Sequence, residues 1–328
     1  MSKAISIPHS RDDYTVGWVC ALPTELTAAI YMLDERHSDL KQPRGDSNAY
    51  ILGKMGEHNV VIAGLPKGVT GNTSSATVAA RMISSFPNIR VGLMVGIGSG
   101  VPQKVRLGDV VISAPVEDRP GVIQWDMGRA EDKGFIQTGF LNPPAKLLLS
   151  ALAKFEAEQI KVHASMMEYL VKQVPKDYFK SPQPKDIAYE STYQHVGGND
   201  CCQCDDNMAM KRDSGERHGL HYGLVASGNQ VIKSAEQRDK LYRQFDENIL
   251  CIETEAAGLM NDFPCIVIRG ISDYADSHTN VAWQEYAAAA AAACAKTFLD
   301  VVPVSEVDKL EAVKSKYMFG IIHKSLHG

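Results

Sequence analysis

The sequence predicts an α/β fold arranged in three layers as one extended domain. Three observations lead there. Apolar strand-like runs lie at residues 14–20, 91–95 and 265–271. Stretches with helical spacing of apolar residues alternate with them, the order expected of a sheet covered by helices. A chain of 328 residues, 45% hydrophobic and 22% charged, is long enough for one large core.

The first strand, residues 14–20, runs into a helix opened by Pro23, with Glu25 in its first turn. Proline and an acidic residue there are a normal helix start, so by itself Glu25 reads as a surface carboxylate favoured by the helix dipole. Alternation over residues 49–65 predicts a hairpin turning near Gly56. The small and polar stretch G-V-T-G-N-T-S-S then becomes a helix. Such an entrance suits an anion or hydroxyl, but without a phosphate-loop lysine it suits close helix packing equally well.

The strand at residues 91–95 delivers Gly96, Ile97 and Gly98. Glycines after a buried strand let backbone approach a ligand closely. The spacing is not that of a dinucleotide fingerprint, and no long helix follows. Residues 115–142 are loop-rich, with W-D-M-G-R-A expected beside a substrate, and an amphipathic helix follows at 144–158. A long insertion at about 161–217 is expected to fold over the site or to form an oligomer contact. Within it, His195, Cys201, Cys202 and Cys204 offer one C-x-x-C half without a second paired half, so no metal is expected.

A further strand turns at Gly228, and residues 251–276 follow. Here a helix-like run headed by Glu253 and Glu255 leads through Pro264 into a strand that ends on Ser272 and Asp273. Ligands of open α/β sheets bind beyond the carboxyl ends of strands, so this is the layout of an active site. A solvated helix start and a capping Asp explain the same residues more plainly. The alanine-rich stretch at 287–298 predicts a helix packed closely on the sheet, and residues after Val304 a terminal helix or tail.

A net charge of -5 and a pI near 6.1 leave no basic surplus for nucleic acid. No apolar run approaches the ~20 residues that span a bilayer, and the N-terminal residues show no signal-peptide core. Seven scattered cysteines, several inside apolar strands, predict reduced thiols and a cytoplasmic protein.

The run E-T-E-A-A-G followed by I-R-G-I-S-D-Y-A-D resembles the signature of the purine nucleoside phosphorylase and methylthioadenosine/S-adenosylhomocysteine nucleosidase superfamily, in the variant found in fungi, where the domain fronts larger receptor-like proteins. The resemblance covers roughly residues 14–299. It implies a nucleoside phosphorylase-like three-layer fold around a mixed, partly barrel-like sheet, with a catalytic domain at 1–304 and a helix or tail at 305–328. It also implies a purine nucleosidase of nucleoside salvage, cutting the N-glycosidic bond of a purine ribonucleoside to base and ribose, with adenosine ahead of inosine and guanosine. No cofactor is implied; the partners are a small nucleoside and further copies of the chain, as a homodimer or higher homo-oligomer.

Carried over residue by residue, the resemblance makes Asp273 the general acid toward the purine and Glu25, at the end of A-L-P-T-E, the base that activates water. Glu255 and Thr254 would hold the ribose; Asn229, Val231, Ile232 and Ser272 the base; Gly96, Ile97 and Gly98 the pocket loop; and Trp283 the ribose 5′ end. Glu253 reads as a neighbouring structural carboxylate. Met94 and Ile97 stand where the phosphorylases carry a phosphate-binding Arg and Ser, which points to water as the nucleophile. A phosphorylase and a non-catalytic nucleoside sensor are the alternatives.

Overall fold

Strand β1 (Val16–Cys20) is buried along its whole length and is flanked by parallel partners on both sides, β5 (Val91–Gly100) and β4 (His58–Gly64). The structure, a computed structural model, describes residues 9–132, 134–178, 185–198, 201–212, 219–263, 265–278 and 281–315. Pro264 and the last thirteen residues of the expected tail, 316–328, lie outside the described residues.

Beyond β4 the sheet continues antiparallel into β3 (Tyr50–Met55) and the two-residue β2 (Glu35–Arg36). The expected hairpin is β3–β4, turning at Gly56 with φ +56°. On the other side, β5 pairs parallel with β12 (Cys265–Asp273), β12 antiparallel with β6 (Val110–Ser113), and β6 parallel with β10 (Leu220–Ser227). β10 pairs parallel with β11 (Ile249–Glu253), which returns to β5 antiparallel through Cys251↔Gly100 and Ile252↔Ser99. Strands β5, β12, β6, β10 and β11 thus close into a ring, and the sheet is mixed and partly barrel-like as expected.

Helix α6 (Gln284–Val301) packs on β5 and β12, and α1 (Pro23–Tyr31), α3 (Lys146–Ala157) and α4 (Gln159–Gln173) pack against α6. Residues 286–299 of α6 are all buried, and an added Cβ on Gly270 of β12 would lie 1.9 Å from Ala287 O. Only small side chains allow so close a contact of helix and sheet, which is the packing the alanine run predicts. Helix α2 (Asn72–Ser85) packs against β1 and β4 on the side toward which Gly17 faces Met82 and Phe263.

Two expectations change here. The insertion at 161–217 begins inside α4, whose Val162, Met166 and Leu170 are buried, so its first part belongs to the helical layer. Buried Lys296 of α6 fixes it there, donating to Met32 O (2.9 Å) after α1, Gln173 Oε1 (3.1 Å) of α4 and Asp34. The loop-rich stretch holds β7 (Val122–Gln124), beside β10, and a separate hairpin of β8 (Gly128–Glu131) and β9 (Gly134–Gln137). Helix α5 (Ala235–Gln244) precedes β11, and α7 (Val304–Val307) is a single short turn.

Candidate active site

Glu25 is the third residue of α1 and is only 3% exposed. Its Oε2 accepts from the backbone N–H of Ala21 (2.6 Å) and Leu22 (2.9 Å), and its Oε1 from Ile97 N–H (2.8 Å) across the sheet. The side chain therefore caps its own helix while fastening that helix to β5. Burial pushes its carboxyl above the usual range; Arg269 and the three amides pull it back.

Arg269 of β12 is fully buried and organises the site. Its Nη2 is paired with Glu253 and lies 3.6 Å from Glu255 Oε2, while Nη1 lies 3.9 Å from Glu25 Oε1 and donates to Ile97 O at 3.3 Å. One cation thus faces three carboxylates, and full ionisation would leave a net double negative charge out of water. Glu255 responds with a raised pKa, through burial and then through Glu253. Sequence reasoning missed Arg269, although an arginine inside the apolar run C-I-V-I-R-G-I has to be matched by acids.

The three expected loop residues belong instead to β5, which runs unbroken to Gly100. Gly96 stands opposite Arg269, and a Cβ there would lie 2.2 Å from Glu25 Oε1 and 2.6 Å from Arg269 Nη1. Gly98 gives the same room to Cys251 Sγ, at 2.4 Å. The glycines therefore admit other side chains of the protein, where the sequence suggested a ligand. Ile97 acts through its backbone, and Met94 is wholly buried in the core.

Glu253 and Glu255 are not on a helix. Glu253 ends β11, and its carboxylate accepts from Glu255 N (3.0 Å) and Ala256 N (3.0 Å), closing the turn at Ala256–Gly258. Two polar residues at the end of a buried strand look like a helix start until the cap is seen to lie behind the turn. Glu255 Oε1 accepts from Gly71 N (3.3 Å), at the entrance of α2, and from the Thr254 hydroxyl. The Gly-rich stretch before α2 therefore meets the site through Glu255.

Asp273 ends β12 opposite Ser99 of β5, after a β-bulge at Ser272 that re-aims the strand. Its Oδ1 accepts from Ala275 N (2.9 Å) and its Oδ2 from the Ser272 hydroxyl (3.1 Å). Burial raises its pKa; hydrogen bonds from Ser99, Ala275 and Ser272 lower it, and Asp276 adds a small further rise. Glu25 and Asp273 thus reach β5 two residues apart, Glu25 at the N–H of Ile97 and Asp273 opposite Ser99.

The remaining expected contacts are less concentrated. Asn229 is exposed; its Oδ1 accepts from Asn72 N (3.0 Å) and its N–H donates to Asp126 (2.6 Å). Val231 is 69% exposed, whereas Ile232 is buried in a small apolar cluster with Ile252 and Ala275. Trp283 is not open toward a ligand: it is 2% exposed and packs on Gly108 and on Tyr286, with ring centroids 5.9 Å apart. In the insertion the ligand atoms of His195, Cys201 and Cys204 lie within 4.8 Å of one another.

No helix among the described residues is long and apolar enough to cross a membrane. The chain is 43% identical over 94% of its length to a nucleotide-binding leucine-rich repeat (NLR)-like protein of Hyaloscypha variabilis, of which it spans less than a third, 31%. It is 24% identical, over 88% of its length and 97% of the relative's, to a 5′-methylthioadenosine/S-adenosylhomocysteine nucleosidase of Mycobacterium bovis. Among solved structures it is similar to futalosine hydrolase of Helicobacter pylori, with a TM-score of 0.58 and 18% identity over 89% of this chain and 99% of that one. A sequence model of the phosphorylase superfamily matches residues 15–302. With most of its length matched, and with the ring of strands that its structural neighbours share, the chain belongs to the phosphorylase superfamily.

Proposed function

We propose that the protein is a purine nucleosidase that hydrolyses the N-glycosidic bond of a purine ribonucleoside, adenosine first, to free base and ribose. The observation that carries the reading is the meeting of Glu25 and Glu255 on buried Arg269, in the same strand whose last residue is Asp273. In this reading Asp273, whose carboxyl is pushed above its usual range by burial, donates its proton to the purine as the bond from C1′ to nitrogen breaks. The bonding pair leaves with the base, and the sugar passes through an oxocarbenium-like state. Glu255 accepts hydrogen bonds from the ribose hydroxyls. Glu25 takes a proton from the water that attacks C1′, so that base and ribose leave neutral. Ser272, bonded to Asp273, positions the acid.

Water is preferred over phosphate because the nucleophile's place is bordered by Glu25 and Glu255, and two carboxylates out of water repel an incoming anion. Arg269 offers little attraction in return, since Glu253 already pairs with it. A second reading, a nucleoside-sensing module without turnover, is favoured by the similarity to part of an NLR-like protein. Incubation with adenosine, inosine or guanosine, with and without phosphate, separates these readings by product. Free base with ribose and no effect of phosphate is the expected result; ribose 1-phosphate would make it a phosphorylase, and bound nucleoside with no free base a sensor.

A further inference from the structure

The second half of the insertion keeps its shape with almost no core of its own. Among the described residues between Glu190 and Arg212 none is buried. Yet His195, Cys201 and Cys204 are half-buried, and their ligand atoms, one ring nitrogen and two sulfurs, all lie within 4.8 Å of one another. Cys204 N–H donates to Cys201 O (3.1 Å), closing the C-x-x-C turn so that both sulfurs leave from one bend. His195 comes from six residues upstream and is separately fixed, its N–H donating to Ser277 Oγ at 3.0 Å. Its ring stands edge-on to buried His278 (centroids 5.6 Å), which stacks on Tyr189 at 4.2 Å.

We propose that this cluster is a zinc site, with Cys201 and Cys204 bound as thiolates, His195 as neutral imidazole and solvent in the fourth position. Two sulfurs and an imidazole are a soft donor set that selects zinc over magnesium or calcium. Tetrahedral zinc, with bonds of ~2.3 Å to sulfur and ~2.0 Å to nitrogen, needs its ligand atoms ~3.5–3.8 Å apart, so an inward shift of about 1 Å completes the site. Both thiol protons pass to solvent on binding. His195 Nδ1 accepts a long hydrogen bond from Gly197 N (3.2 Å), which ligation at that nitrogen replaces. The cross-link ties the insertion to Ser277 and His278, in the loop that leaves β12 just after Asp273. Its role is structural, and it stands apart from the chemistry proposed above.

The full chain purified under reducing conditions without chelator is expected to carry about one zinc per molecule by elemental analysis. After chelation, titration with cobalt(II) is expected to give a thiolate-to-metal band in the near ultraviolet and tetrahedral bands in the visible, a readout that needs no variant. Cys201→Ser with Cys204→Ser is expected to lose metal and cobalt bands, while Cys202→Ser, whose exposed sulfur is outside the cluster, keeps both. A wild-type chain that neither carries zinc nor gives the cobalt bands would overturn the site. Zinc retained by the double variant, or lost equally by Cys202→Ser, would overturn the ligand assignment.

Discussion

The barrel wall around Arg269 and the exposed half of the insertion are both polar, but they are held by opposite means. Around Arg269 each group has several simultaneous constraints: Glu25 takes three backbone hydrogen bonds, Glu253 caps a turn, and Gly96 leaves no spare volume. In the insertion a residue such as Asp205 makes local bonds, to Asn207 N–H and its side-chain amide, both at 2.9 Å, and stays exposed. Charges taken out of water are costly unless every partner is in place, so the first region tolerates little and the second much. The raised pKa values needed for acid and base work arise where removal of water is enforced.

The comparison is tested most strongly through turnover. Asp273→Asn and Glu25→Gln keep the shape of the wall and remove one titrating group each, and each is expected to lower kcat by ~100- to 10,000-fold with a smaller change in KM. Activity within about threefold of the parent in either variant would remove that residue from the mechanism. Next, Arg269→Met leaves the three carboxylates without their counter-charge, and urea unfolding is expected to show a loss of about 3–5 kcal/mol. An unchanged midpoint would mean that the wall is not held by this ion cluster.

A smaller effect is expected of pH. The raised pKa of Glu25 means that its ionised form, the base, is lost as pH falls through a value above the ordinary carboxyl range. The raised pKa of Asp273 means that the acid form is lost as pH rises. Under the proposed hydrolysis a bell-shaped profile of kcat/KM is therefore expected, with the alkaline limb abolished in Asp273→Asn; a limb that survives belongs to another group. Gly96→Ala pushes a methyl against Glu25 and Arg269, with an expected loss of about 1–3 kcal/mol read from the same urea curves. Smallest of all, Asp205→Ala in the insertion removes a cap of a short turn, and a change of more than about 1 kcal/mol would show that region to be as constrained as the wall.

Much of this was legible in the sequence. The hairpin at Gly56, the alanine-rich helix and the strand ending on Asp273 follow from local pattern, and the structure forms all three. The continuation of β5 through Gly96, Gly98 and Gly100 was not legible, because glycine is a poor strand former by local rules. Its reason is non-local: Glu25, Arg269, Cys251 and Ile271 come from other elements to fill the space over those glycines. Arg269 itself was visible as an oddity in an apolar strand, but its three acidic partners lie in separate segments. His195, Cys201 and Cys204 were in view as well, but one C-x-x-C pair with a histidine upstream does not by its spacing tell that the three ligand atoms lie within 4.8 Å of one another.

The ring of five strands is a hoop with one short seam. β11 meets β5 through only two residue pairs, Cys251↔Gly100 and Ile252↔Ser99, whereas β12 meets β5 along nearly its whole length. Glu253 is the next residue beyond that seam, and Ser99, one of its members, also faces Asp273. A breathing motion that opened the hoop at its narrowest stitch would at the same moment loosen the partner of Arg269 and the neighbour of Asp273. Amide exchange at the seam and loss of the Arg269 and Asp273 arrangement should then share one rate, set by two residue pairs rather than by the whole barrel.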